Sequence, residues 1–145
     1  MRPFEFPLRR VLEWRRTQME LAENKLRRMA ADLEELALAV VKLDLVRGRA
    51  EQVVRESAVA DAGDLWALAA YRARLINEQR ELTRRRREYE QQLALQRQRV
   101  LEAQRQCRLL EKLAESRRAE WRKAMDREME SQAAEAYLAL WNRRR

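Results

Sequence analysis

The stretch Leu26-Arg27-Arg28-Met29-Ala30-Ala31-Asp32-Leu33-Glu34-Glu35-Leu36-Ala37-Leu38-Ala39-Val40-Val41-Lys42-Leu43 decides the fold. Leu26, Met29, Leu33, Leu36, Val40 and Leu43 alternate steps of three and four, which places them along one side of a helix. Working outward, the same spacing includes Leu8, Leu12, Arg15, Met19 and Ala22 on one side and Arg47, Ala50 and Val54 on the other. Only Arg15 and Arg47 put charge on this seam. A heptad pattern held over about six repeats is a strong coiled-coil signal. Glu23–Arg27 and Glu51–Arg55 add favourable pairs four residues apart. Gly48 weakens the helix locally by about 1 kcal/mol relative to Ala.

The seam stops near Ser57. Ser57-Ala58-Val59-Ala60-Asp61-Ala62-Gly63-Asp64 is the one cluster of turn residues. Gly63 can take a positive φ and Asp64 can cap a following helix, so a bend falls over about 58–64. Pro7 suits the first turn of helix one, which runs over about 7–57. A second seam, over about 65–141, passes through Leu68, Leu75, Leu82, Tyr89, Leu93, Val100, Ala103, Cys107, Leu110, Ala114 and Trp121. Arg72, Gln79, Arg86, Gln96 and Arg117 interrupt it. Two seams around one bend predict an all-α fold, an antiparallel two-helix coiled-coil hairpin with a longer second helix. Residues 1–145 then form one coiled-coil domain. Helix one, of about 50 residues, spans roughly 75 Å.

With the bend near residue 60 or 61, Leu12 faces Leu109 or Leu110, Leu26 faces Leu93 or Leu95, and Leu33 faces Glu88 or Tyr89. Residues after about 115 are left without a partner in helix one. That overhang carries Trp121, Met125, Met129, Tyr137, Leu138 and Trp141. So much apolar surface implies a binding partner or a folded-back bend.

Composition supports the same reading. The 145 residues include 2 Gly, 2 Pro and no His, and 39% are charged. A sheet protein needs far more turn residues, which excludes all-β and disfavours α/β. The 46% hydrophobic content excludes a disordered tail. A lone Cys allows no internal disulfide and points to a reducing compartment. No apolar run approaches the roughly 18 residues of a membrane span, and Met-Arg-Pro-Phe-Glu-Phe-Pro lacks the apolar core of a signal peptide. The expectation is a soluble cytoplasmic protein.

No catalytic constellation is visible. There is no His for a triad or general base, no Gly-rich phosphate loop and no metal-ligand cluster, so no enzyme, cofactor or metal is expected. Cys107 falls on the seam and reads as a small core residue. Trp14 and Trp66 read as packing residues.

The net charge of +8 is uneven: residues 69–127 hold 17 basic and 9 acidic side chains, and the flanking segments are balanced. Its densest point is Arg84, Arg85, Arg86 and Arg87. These wind once around a helix, so they read first as a solvated face supported by Glu81. A docking patch for an acidic protein comes second. Nucleic acid comes last, because no aromatics interleave with the arginines.

Phe4-Glu5-Phe6-Pro7-Leu8-Arg9-Arg10-Val11-Leu12 resembles the opening of the flagellar export protein FliJ family, which reads Phe-x-Phe-x-Leu-x-x-Val-Leu followed by an Arg. Leu110-Glu111-Lys112-Leu113 followed by charged residues is also similar to that family. The family's acidic Asp-Glu near the C-terminal end is replaced by Gln132-Ala133-Ala134-Glu135-Ala136.

The resemblance implies a cytoplasmic part of the type III protein export apparatus, similar to the stalk of rotary ATP synthases. It implies insertion into the ring of the export ATPase FliI, promotion of ring assembly, a link to the export gate protein FlhA, and contact with export chaperones. It places the protein at the cytoplasmic face of the inner membrane at the flagellar base, a monomer when free, with no nucleic acid bound. Phe4, Phe6, Trp121, Met125, Met129, Tyr137, Leu138 and Trp141 are then candidates for the ATPase contact. By approximate alignment, Tyr71 and Leu75 are candidates for the gate. The alternatives are the equivalent stalk of a virulence injectisome, a general coiled-coil scaffold, and a nucleic-acid-binding protein.

Overall fold

A computed structural model describes residues 2–57 and 61–144. Two helices account for nearly all of them: α1, Arg9–Glu56, and α2, Ala62–Arg143. The fold is all-α, an antiparallel two-helix coiled-coil hairpin whose second helix is the longer. Among the described residues there is no strand.

The helix ends follow from local chemistry. Pro7 lies in the turn that precedes α1 rather than inside it. Arg9 N–H donates to Phe6 O at 3.1 Å and Leu12 N–H to Leu8 O at 2.9 Å, closing the first turn. At the far end, Ser57 N–H donates to Val53 O at 3.2 Å. Residues 58–60 of the expected bend lie outside the described residues.

α2 begins at Ala62, three residues earlier than the expected start near 65, with Asp61 immediately before it. The Asp64 N–H donates to Asp61 Oδ1 at 2.8 Å, and the Asp61 N–H donates to Asp64 Oδ2 at 3.4 Å. This reciprocal pair is a capping box that satisfies two orphan donors at once. Asp61 is therefore the cap, and Asp64 is its partner in the first turn. Gly63 takes no positive φ, contrary to expectation, because it is already helical.

The chain forms two compact units, residues 1–20 with 101–145, and residues 21–100. In the second of these, the α1 seam from Ala22 through Val54 is half-buried at every position. It packs on Leu75, Leu93 and Val100 of α2, which are buried. Gln96 occupies a core position among them at 3% exposure. Its amide donates to Ala22 O at 3.1 Å. Three more cross-helix contacts fix the register: Tyr89 to Asp32 at 2.8 Å, Gln79 to Asp44 at 3.0 Å, and Arg72 to Glu51 at 3.1 Å. The Tyr89 pairing agrees with the register read from the bend position.

In the unit of residues 1–20 with 101–145, Leu12 and Cys107 are buried, and Met19, Ala103, Leu110 and Ala114 line the same seam half-buried. Arg15 Nη1 donates to Gln106 Oε1, and Arg16 reaches Glu111 at 3.3 Å. Leu8, expected on the seam, is exposed. The polar positions that seemed to weaken the seam are thus resolved in two ways. Gln96, Arg15, Arg72 and Gln79 bond across to the other helix, whereas Arg86 and Arg117 turn outward to Glu90 and Glu120.

Candidate functional site

The segment before α1 has no helical periodicity, and the structure shows what it does instead. Arg2–Phe6 has no regular secondary structure and leads into the turn at Pro7. It lies against α2 near Trp121. The Trp121 indole N–H donates to Arg2 O at 3.2 Å. The Phe4 ring sits 6.1 Å from the Trp121 ring at 53°. The Arg118 guanidinium lies 5.5 Å over the Phe4 ring, a cation–π contact. Phe4 thus contacts both the Trp121 ring and the Arg118 cation, and Phe6 nearby is half-buried. A cleft of about 800 Å³ opens along this strap, lined by Pro3, Phe4, Phe6, Leu8, Leu113 and Trp121.

The strap corrects the expectation that Trp121 has no cover within the chain. α1 does not reach it, but the residues ahead of α1 do. Trp121 and Met125 are half-buried, and from 126 to 144 every described residue is exposed. Met129, Tyr137, Leu138, Leu140 and Trp141 are the large apolar side chains of that stretch. Tyr137, Leu138 and Trp141 lie within one helical turn of each other, so they form a contiguous apolar surface. Such a surface is a candidate for contact with a partner.

The gate candidates separate. Tyr71 is partly exposed, and with Val53, Val54, Ala67 and Leu68 it lines a shallow groove. Leu75 is 6% exposed, a core residue of the hairpin. Its side chain is packed against α1 and is not available to a partner. Trp66, which the sequence suggested was packing, is 75% exposed, and Trp14 is also exposed. Trp14 stacks under the Arg15 guanidinium at 4.8 Å. No periodicity signal could reveal Trp66, because it lies off the seam.

The arginine run is largely neutralised within its own helix. Arg84 bonds Glu81 at 2.6 Å and Glu88 at 2.7 Å, Arg85 reaches Glu81 at 3.3 Å, and Arg86 reaches Glu90 at 3.2 Å. The Arg84 hydrogen bond holds the Glu81 carboxyl below its ordinary range. Glu81 in turn raises the Arg84 guanidinium above its ordinary value. Among the described residues Arg87 alone of the four has no ion pair. This is a solvated, internally paired face.

Among the described residues no cluster of three His, Cys, Asp or Glu side chains could hold a metal ion. Among them, too, no helix is long and apolar enough to cross a membrane. The Cys107 thiol is buried in the seam. No family model, curated protein or solved structure matches the chain.

Proposed function

We propose that this chain is a non-enzymatic stalk and adaptor of the flagellar type III protein export apparatus. In this reading it binds the export ATPase ring of FliI, promotes its assembly, and links it to the gate protein FlhA and to export chaperones. It works at the cytoplasmic face of the inner membrane and so supports flagellum assembly and motility. The observation that carries the reading is the exposed Met129–Trp141 end of α2, next to the strap formed by Phe4 and Phe6. The hairpin supplies stiffness, and that end supplies a surface able to touch several subunits of a ring. The Phe4-x-Phe6 opening favours a flagellar over an injectisome system.

The test is a pull-down of purified export ATPase with wild type and with a Tyr137→Ala, Leu138→Ala, Trp141→Ala variant. These positions lie outside the strap, so the fold near Trp121 stays intact. Capture by wild type and loss by the variant supports the reading. No capture by wild type of either the ATPase or the gate protein rejects it.

A further inference from the structure

Leu36-Ala37-Leu38-Ala39-Val40-Val41-Lys42-Leu43-Asp44-Leu45-Val46 is apolar around nearly the whole circumference of α1. A helix of that kind is normally buried on every side. The hairpin covers only one side, that of Leu36, Val40 and Leu43. Leu38, Val41 and Leu45 point the other way, at 57%, 53% and 58% exposure. Their steps of three and four make a second stripe, opposite the seam.

Charges of opposite sign flank the two ends of this stripe. Glu34 and Glu35 stand at its N-terminal end, and Lys42 and Arg49 stand toward its C-terminal end. Among the described residues none of the four forms an ion pair. Their neighbours do: Arg47 with Asp44, Arg72 with Glu51, and Arg84 with Glu81. Gly48 lies on the same outer face, and nothing stands within 4 Å of where its Cβ would be. Packing inside the chain therefore gives no reason for a glycine there.

From this we infer that the outer face of α1 takes a second copy of the chain, antiparallel, about a two-fold axis near Val41. An isologous contact brings each residue opposite its mirror position. Leu38 then packs on Leu45 of the second copy, and Val41 packs on Val41. Glu34 and Glu35 meet Arg49 at each end, and Gly48 leaves room for the approaching glutamates. Lys42 flanks the axis, lays its aliphatic stem along Val41 and keeps its ammonium in water.

Acids at one end and cations at the other suit this self-pairing better than a uniformly charged partner. The two glutamates disfavour an anionic membrane. Three exposed side chains bury far less than the roughly 800 Å² per partner of a stable complex. The dimer is therefore weak, and single hairpins prevail at low micromolar concentration. This inference does not rest on the stalk reading.

Sedimentation equilibrium from about 5 to about 500 µM tests it. Wild type is expected to rise reversibly toward twice its 17.5 kDa mass. Leu38→Glu with Leu45→Glu is expected to remain at the single-chain mass throughout. Glu35→Arg and Arg49→Glu are each expected to weaken association by about tenfold, and the double variant is expected to restore it. All these side chains are exposed, and circular dichroism confirms that each variant stays helical. Wild type at single-chain mass at the highest concentration overturns the inference and leaves the face to an unlike helix. Association that survives the leucine changes, or charge swaps that fail to compensate, also overturns it.

Discussion

Gln96 on α2 donates its amide to the Ala22 carbonyl on α1 across 3.1 Å, at a core position that is 3% exposed. The Ala22 carbonyl lies within α1, so losing Gln96 does not orphan it. A buried polar residue at such a position costs stability and specifies register. Gln96→Leu is therefore expected to match or exceed wild-type stability, by up to about 1 kcal/mol, while loosening the register. Gln96→Ala is expected to lose about 2 kcal/mol through the cavity it leaves. Thermal unfolding reads the stability. Disulfide yield between Asp32→Cys and Tyr89→Cys, in a Cys107→Ser background, reads the register. An unchanged yield in Gln96→Leu would show that the apolar seam alone sets it.

Tyr89 and Asp32 carry a pH-dependent contribution. The hydrogen bond to Asp32 raises the Tyr89 phenol above its ordinary value of 10.0, with burial and the Asp32 charge acting in the same direction. The bond requires the phenol proton. A pKa raised on folding stabilises fully below the unfolded value and is lost as pH rises through the folded one. Wild type is thus expected to lose this stability as pH climbs above about 10, and Tyr89→Phe is expected to lack that component. Urea unfolding of the two proteins at pH 8 and above checks it. Parallel curves would assign no role to the bond.

The strap depends on Phe4. Its contact with Trp121 is of the kind worth about 1 kcal/mol beyond burial, and the Arg118 contact adds to it. Phe4→Ala is expected to free Arg2–Leu8 without shifting the global melting temperature. Trypsin cleavage after Arg9 and Arg10 should speed up roughly fivefold, since local opening governs it. An unchanged cleavage rate would place the anchor at the Trp121 indole and Arg2 carbonyl instead.

Asp61 closes the first turn of α2 through its bond from the Asp64 N–H. Asp61→Ala is expected to cost about 1 kcal/mol, and Asp61→Asn much less, because the amide oxygen can accept the same bond. Urea unfolding distinguishes them. Equal losses in the two variants would mean that charge at the helix start matters more than the cap.

The hairpin and its register were legible because one rule, apolar residues at steps of three and four, governs both helices from Leu12 to Trp121. That rule is blind to polar partners. It ranked Arg15, Gln79 and Gln96 as interruptions, although each has a cross-helix bond that no spacing reveals. It also misplaced the start of α2, since Asp61 and Asp64 compete for the cap and only geometry shows which aspartate accepts from which N–H. The strap was hidden for a different reason. Phe4-Glu5-Phe6 lies ahead of the helical register, and its partner is more than a hundred residues away. The exposed end of α2 was legible as an overhang after about residue 115, but with the strap in place the fully exposed stretch begins beyond Met125. Leu75 shows the converse error: a position matched by alignment proved to be core.

The residues beyond Met125 set the last expectation. Every described side chain from 126 to 144 is exposed, so this end is held as a helix by its own propensity, with Ala133, Ala134, Ala136 and Ala139 supplying it. Leu138→Ser with Leu140→Ser removes apolar surface that packs on neither α1 nor the strap. The unfolding free energy is therefore expected to change by less than about 0.5 kcal/mol, as for other surface substitutions. Binding of a hydrophobic dye and capture of the export ATPase should both fall. A large loss of stability would instead show that this end packs within the folded chain, and the variant's loss of binding would then carry no weight. Retained capture at unchanged stability would move the ATPase contact to the strap, where Phe4 and Phe6 line the neighbouring cleft.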